Sequence, residues 1–248
     1  MGVLQLAPTL PILVFQHMAA DHPGYLFDLL DADNIPWRVV RLDLGELPPD
    51  LGGFSALWVL GGPMDVWEER DHPWLIEEKR AIREAVVDRA MPYFGVCLGH
   101  QLLAAALGGE VGPAARPEMG VFDVTINQHG QRHPLLAGLP SRLPLLQWHL
   151  AEVKRAPAGA KVLASSAHCP IHGITFGNHA LGLQSHIEVS LATVREWLAS
   201  SRAMTQLENH LGADAPQRFE KEATAHLADF NQAAKLLYGR LIASIGVG

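Results

Sequence analysis

Two patterns of hydrophobic positions divide this chain. In the first half, short and largely apolar runs (Pro11 to Phe15, Trp37 to Leu42, Phe54 to Leu60, Pro92 to Val96) alternate with segments whose apolar residues recur every three or four positions. Runs of that length suit strands buried on both faces, and the longer period suits helices laid against a sheet. Tyr25 to Leu30 and Leu98 to Leu107 read as helices. Pro73 to Arg89 reads as a longer amphipathic helix, with proline at its start and Leu75, Ile76, Ala81, Ile82, Ala85 and Val86 on one side. This order predicts an α/β fold with a doubly wound, mostly parallel central sheet flanked by helices, in which sites form beyond the carboxyl ends of strands.

After Gly108-Gly109 the runs shorten. Val121 to Ile126, Pro144 to Trp148, Val162 to Ala164, Ile171 to Phe176 and Ala180 to Gln184 are strand-like and separated by Gly, Pro, Asn and His turns. They predict antiparallel hairpins plus one strand, Ala180 to Gln184, that returns to the main sheet. From Ser190 the period becomes helical: Leu191 to Ser200, Arg202 to Leu211, then Gln217 to Ile245 with a stripe of Phe219, Ala223, Leu227, Phe230, Ala234, Leu237 and Leu241. The division expected is a domain over residues 1–190 and a C-terminal helical extension over 191–248 packed on it. A lid or a homodimer contact would use the same stripe.

Composition narrows the function more than the fold. The 248 residues are 48% hydrophobic and 18% charged, as in an ordinary globular protein. A net charge of −7 with interspersed signs provides no basic stripe for nucleic acid. The apolar N-terminus, Met1 to Val14, holds Pro8 and Pro11 and lacks the positive start and cleavage site of a signal peptide, and no run is long enough to span a membrane. A cytoplasmic location is expected. The two cysteines, Cys97 and Cys169, are then more readily catalytic or buried than disulfide-bonded. His168, His172 and His179 lie near Cys169, but no metal-ligand spacing appears among the 13 histidines.

Chemistry concentrates at Gly95-Val96-Cys97-Leu98-Gly99, where a strand pattern meets a helix pattern. A nucleophile at so sharp a turn needs neighbours without side chains, and the following helix aims N–H groups and the positive end of its dipole at the sulfur. A buried structural cysteine beside a bend would show the same local pattern. Two further strand ends favour catalysis. Gly61-Gly62 can present backbone N–H groups to an oxyanion. His186 and Glu188, two apart in an extended segment, point the same way, so a carboxylate can orient an imidazole able to take the thiol proton.

The chain resembles class I (triad-type) glutamine amidotransferases, particularly stand-alone members related to the glutaminase domain of GMP synthase. The resemblance runs from about Pro11 to Val189, through Leu60-Gly61-Gly62-Pro63, the elbow Gly95 to Leu103, Glu118-Met119-Gly120, Leu146-Gln147-Trp148-His149 and Gly182 to Val189. It implies a flavodoxin-like sheet, Cys97 as nucleophile, His186 as general acid/base and Glu188 as its orienter. It further implies Gly62 and Leu98 as backbone oxyanion donors, and Gln101, Trp148 and His149 on the substrate. The implied reaction hydrolyses a γ-carboxamide through a γ-glutamyl thioester without metal or organic cofactor, and passes ammonia to a separate synthase subunit.

Two departures bear on substrate. Ser185-His186-Ile187-Glu188 replaces the family's Phe-His-Pro-Glu, and Leu150-Ala151 replaces the Gly-Asp that follows Trp-His in stand-alone relatives, with Glu152 one position late. A γ-glutamyl peptidase acting on glutathione-like amides is therefore the alternative to a glutaminase. A non-catalytic regulatory or binding protein is a third reading.

Overall fold

The computed structural model describes residues 10–246; the part of the apolar N-terminal segment before Leu10 lies outside them. Four of the apolar runs form strands without an exposed residue: β1 (Ile12–Gln16), β3 (Ala56–Val59), β4 (Tyr93–Val96) and β9 (Ala180–Leu183). Their side chains alternate between two cores. Ile12 and Val14 join one cluster with Trp58, Phe94 and Val96, while Leu13 and Phe15 join the other with Leu57, Val59 and Tyr93. Burial on both faces is why these runs carry no polar alternation.

Nine strands form a single sheet in the order β2-β1-β3-β4-β9-β8-β7-β5-β6. The remaining strands are β2 (Trp37–Arg41), β5 (Glu110–Ile126), β6 (Arg142–Arg155), β7 (Ala160–Ser165) and β8 (Gly173–Phe176). Strands β2, β1, β3, β4 and β9 are parallel, and the returning strand pairs Tyr93 with Ala180 and Val96 with Leu183. Beyond β9 every pairing is antiparallel, so the sheet is mixed. The long β5–β6 hairpin curls back over the sheet edge, where Leu146 and His186 form an isolated antiparallel bridge.

Helices α2 (Trp74–Arg83) and α3 (Leu98–Ala106) pack on one face; α1 (Tyr25–Ala32) lies on the other, and α4 (Gln128–Gln131) is a short turn beside β7. The amphipathic helix expected over Pro73 to Arg89 changes character at Glu84, where a wider π turn runs to Asp88 and Arg89 N–H donates to Glu84 O at 3.0 Å. The C-terminal helices are α5 (Leu191–Leu198), α6 (Ser201–Leu211), α7 (Ala215–Ala225) and α8 (Leu227–Ser244). The pattern read as one helix from Gln217 to Ile245 is thus two, bent at His226 (φ −103°, ψ 6°). The bend sends α7 along β5 and α8 onto α1 and β6, and Phe219, Ala223, Phe230, Ala234, Leu237 and Leu241 all enter the α1-side core. No helix among the described residues is long and apolar enough to cross a membrane.

Candidate active site

The Gly-x-Cys-x-Gly stretch folds as a strand, a single strained residue and a helix. Cys97 has φ 52° and ψ −103°, left of the region an L-residue prefers, and its N–H is tied to Leu183 O at 2.8 Å. The flanking glycines allow close approach rather than strain. A Cβ on Gly99 would lie 2.1 Å from Val59 O, and one on Gly95 would lie 2.6 Å from the Gly99 carbonyl. Tyr93 Oη donates to Gly99 O at 2.8 Å and locks the turn from beneath.

His186 follows β9, the neighbour of the Cys97 strand, and its N–H donates to Leu146 O at 2.9 Å. Its Nδ1 lies 2.7 Å from Glu188 Oε1, and the two side chains are each only 5% exposed. The Trp197 indole stands edge-on to the imidazole at 4.7 Å. Burial works against a charge on His186, yet Glu188 and Cys97 on either side of it hold the imidazole well above its ordinary value. The arrangement therefore favours imidazolium beside sulfur.

Gly61 is wedged into the same space: a Cβ there would lie 3.1 Å from His186 Cε1 and 3.8 Å from Cys97 Cβ. The N–H groups of Gly62 and Leu98 donate to no acceptor among the described residues. Two polar groups to which the sequence assigned no role also converge here. Gln184 Nε2 donates to Cys97 Sγ at 3.5 Å, and Asp21, from the loop after β1, faces His186. Burial raises the Asp21 carboxyl and Glu188 adds to this, while His186 opposes it.

These groups open into a cleft of about 370 Å³, lined by Cys97, Gln101, Trp148, His149 and His186 on the sheet side. Helix α6 and the turn before it supply Ser200, Arg202, Ala203 and Gln206 opposite. Gln101 reaches the cleft, but its Nε2 is committed to Ala151 O and Gln184 Oε1, both at 3.0 Å. Trp148 holds its carbonyl 3.8 Å from Sγ and anchors α6 through Nε1–H to Gln206 Oε1 at 2.6 Å. His149 has both ring nitrogens engaged, Nδ1–H to Ala151 O at 3.0 Å and Nε2 with Glu118 Oε2 at 3.3 Å. Glu118 is fixed in turn by the Ser166 hydroxyl and the His168 N–H. Glu152 pairs with Lys154 and is not among the cleft residues, so it does not stand in for the aspartate replaced at Ala151.

The first two of these placements are those of a thiol nucleophile with a carboxylate-oriented base, and known proteins share them in sequence and fold. Residues 34–201 match the family Glutamine amidotransferase class-I. The glutamine amidotransferase-like protein YfeJ of Salmonella typhimurium is 35% identical over 172 residues, covering 68% of this chain and 70% of that protein. The glutamine-hydrolyzing GMP synthase of Aeropyrum pernix is 38% identical over 59% of this chain, a match that spans only 26% of the synthase. Gamma-glutamyl peptidase 5 of Arabidopsis thaliana is 29% identical over 63% of each chain. In structure, the glutamine amidotransferase of Methylobacillus flagellatus superimposes with a TM-score of 0.85 at 31% identity, covering 95% of both chains. The chain belongs to the class I glutamine amidotransferase family.

Proposed function

We propose that this protein hydrolyses the γ-carboxamide of glutamine or of another γ-glutamyl amide, with Cys97 as nucleophile. The observation that carries the proposal is the buried His186 held between Cys97 and Glu188. The thiol proton moves to His186, and the sulfur attacks the γ-carbonyl carbon. The carbonyl electrons shift to oxygen, which the N–H groups of Gly62 and Leu98 receive. As the tetrahedral intermediate collapses, the C–N bond breaks and His186 returns its proton to the leaving nitrogen. Water then attacks the thioester, giving its proton to His186, and the C–S bond breaks to release the γ-carboxylate product and the thiol.

Ammonia is the first product from glutamine, and the synthases among the relatives suggest a separate synthase subunit as its acceptor. A γ-glutamyl peptidase is the second reading, and a specific feature favours it. Leu150-Ala151 removes the acid expected beside Trp148-His149, and the cleft's volume falls in the range of about 300–1,000 Å³ that suits ligands larger than one amino acid. Gln101, Trp148 and His149 would shape this pocket rather than all contact the substrate through their side chains, because His149 is already doubly engaged.

The test is glutamate release from glutamine and, in parallel, from a γ-glutamyl dipeptide, with Cys97→Ala as blank. Release from glutamine alone supports the glutaminase, and release from the dipeptide supports the peptidase. Silence on both, together with a Cys97 that iodoacetamide does not label at neutral pH, would leave the non-catalytic binding protein as the better reading.

A further inference from the structure

We propose that His17 and Glu78 are positioning residues that hold the Gly61–Gly62 peptide with its N–H turned toward Cys97. This deepens the hydrolase reading, on which it rests, by naming what builds one side of the oxyanion site.

His17 lies just past β1, and Glu78 lies on the sheet-facing side of α2; both side chains are fully buried. His17 Nδ1 is 2.8 Å from Gly61 O and Nε2 is 2.8 Å from Glu78 Oε1. A carbonyl oxygen only accepts, so Nδ1 carries a proton and donates to Gly61 O. Trp74 stacks on the imidazole at 5.4 Å and 21°, which fixes the ring plane. Burial works against a charge on His17, but Glu78 and the Gly61 carbonyl outweigh it and raise the imidazole above its ordinary value.

Gly61 O and Gly62 N–H belong to one trans peptide unit, so they point in opposite directions. Drawing the oxygen toward His17 turns the N–H away from it, to the side where Gly62 lines the cleft with Cys97. That N–H has no acceptor among the described residues. The anchor matters because the unit is flanked by glycine on both sides, and glycines offer little steric resistance to a peptide flip. A buried histidine–carboxylate pair is also weak evidence for added stability, since removing both charges from water offsets their attraction. An orienting role accounts for its place directly behind the two glycines. The donor is then set within this chain, with no second protein required to turn it.

The test compares two reactions at Cys97 in His17→Gln and Glu78→Gln, with Cys97→Ala as blank. Acylation by p-nitrophenyl acetate passes through an oxyanion whatever the natural substrate, whereas alkylation by iodoacetamide displaces iodide and forms none. Loss of one oxyanion donor costs about 10²–10³-fold. A misoriented donor in His17→Gln should slow acylation by about 10–100-fold while alkylation stays within about twofold of wild type. Glu78→Gln keeps the ring in place and should show the smaller loss, which preserves the test if His17→Gln does not fold. Unchanged acylation in a folded variant, or acylation and alkylation falling together, overturns the positioning role. If the wild type is acylated but releases glutamate from neither substrate, the hydrolase reading fails and the positioning role stands. Wild-type acylation no faster than Cys97→Ala removes both.

Discussion

Replacing Glu188 by glutamine removes a charge while leaving an oxygen that can accept from His186. The carboxylate oxygen is 2.7 Å from Nδ1, and both side chains are 5% exposed, so solvent screens the pair weakly. Unit charges centred ~4 Å apart at an effective dielectric of ~20 attract by about 4 kcal/mol. The retained hydrogen bond returns about 1 kcal/mol. Losing the remaining ~3 kcal/mol of imidazolium stabilisation slows amide hydrolysis by about 10²-fold. The sign of the pH effect also follows. Glu188 helps hold His186 above its ordinary value against burial, so without it the imidazolium gives up its proton at lower pH, and the alkaline limb of kcat moves downward. An ester that needs no protonation of its leaving group should lose less than an amide. Glutamate release against pH for wild type, Glu188→Gln and His186→Ala measures this, with His186→Ala the most damaged. A Glu188→Gln rate within about threefold of wild type and an unmoved alkaline limb would refute the reasoning.

Other substitutions separate stability from chemistry. Cys97 holds a positive φ that an alanine would inherit and a glycine would not. Relief of ~1–3 kcal/mol of strain against ~0.5–1 kcal/mol of extra backbone entropy should leave Cys97→Gly about 1 kcal/mol more stable than Cys97→Ala, both inactive; urea titrations that rank alanine higher argue against strain at the nucleophile. Gly99→Ala drives a methyl against Val59 O, and α3 must move off β3 at a cost of about 1–3 kcal/mol or more, seen as a lower thermal midpoint. His100 is buried and its imidazole is lowered by that burial from 6.5 to about 4. The unfolded chain therefore takes up a proton that the native chain refuses, and stability falls as pH drops from 6.5 toward 4, by up to about 3 kcal/mol. His100→Gln should flatten that acid dependence, and a urea midpoint that tracks wild type across this range would count against it.

What could be read from residues alone is what depends on short spacings. The apolar runs, the elbow at Cys97 and the i, i+2 relation of His186 and Glu188 are each complete within a few positions, and each appears at its expected strand end. The bend at His226 was hidden because the apolar stripe continues through it, and hydrogen bonds from His226 N–H to Glu222 O and from Phe230 N–H to His226 O carry the ladder across. Asp21, Gln184 and the α6 side of the cleft carried no local signal at all. His17 illustrates why. Beside Gln16 at the end of an apolar run it looks like a solvated strand end, and Glu78 looks like one more charge on an amphipathic helix.

Register supplies what spacing lacks. Phe15 pairs with Val59, Val59 with Gly95, and Gly95 with Gly182. Two residues further along each strand, the same row reads His17, Gly61, Cys97 and Gln184, and contacts run along it in order. His17 donates to Gly61 O, a Cβ on Gly61 would be 3.8 Å from Cys97 Cβ, and Gln184 donates to Cys97 Sγ. The carboxyl edge of four adjacent parallel strands thus places an anchor, an oxyanion donor, a nucleophile and a sulfur-facing amide side by side. None of the four is within thirty positions of the next in the chain. Their roles become visible only once the strand order β1-β3-β4-β9 is known. Chemistry that depends on strand order has to be sought along the sheet edge, one row beyond the last paired residues, and His17 belongs to that row as firmly as Cys97 does.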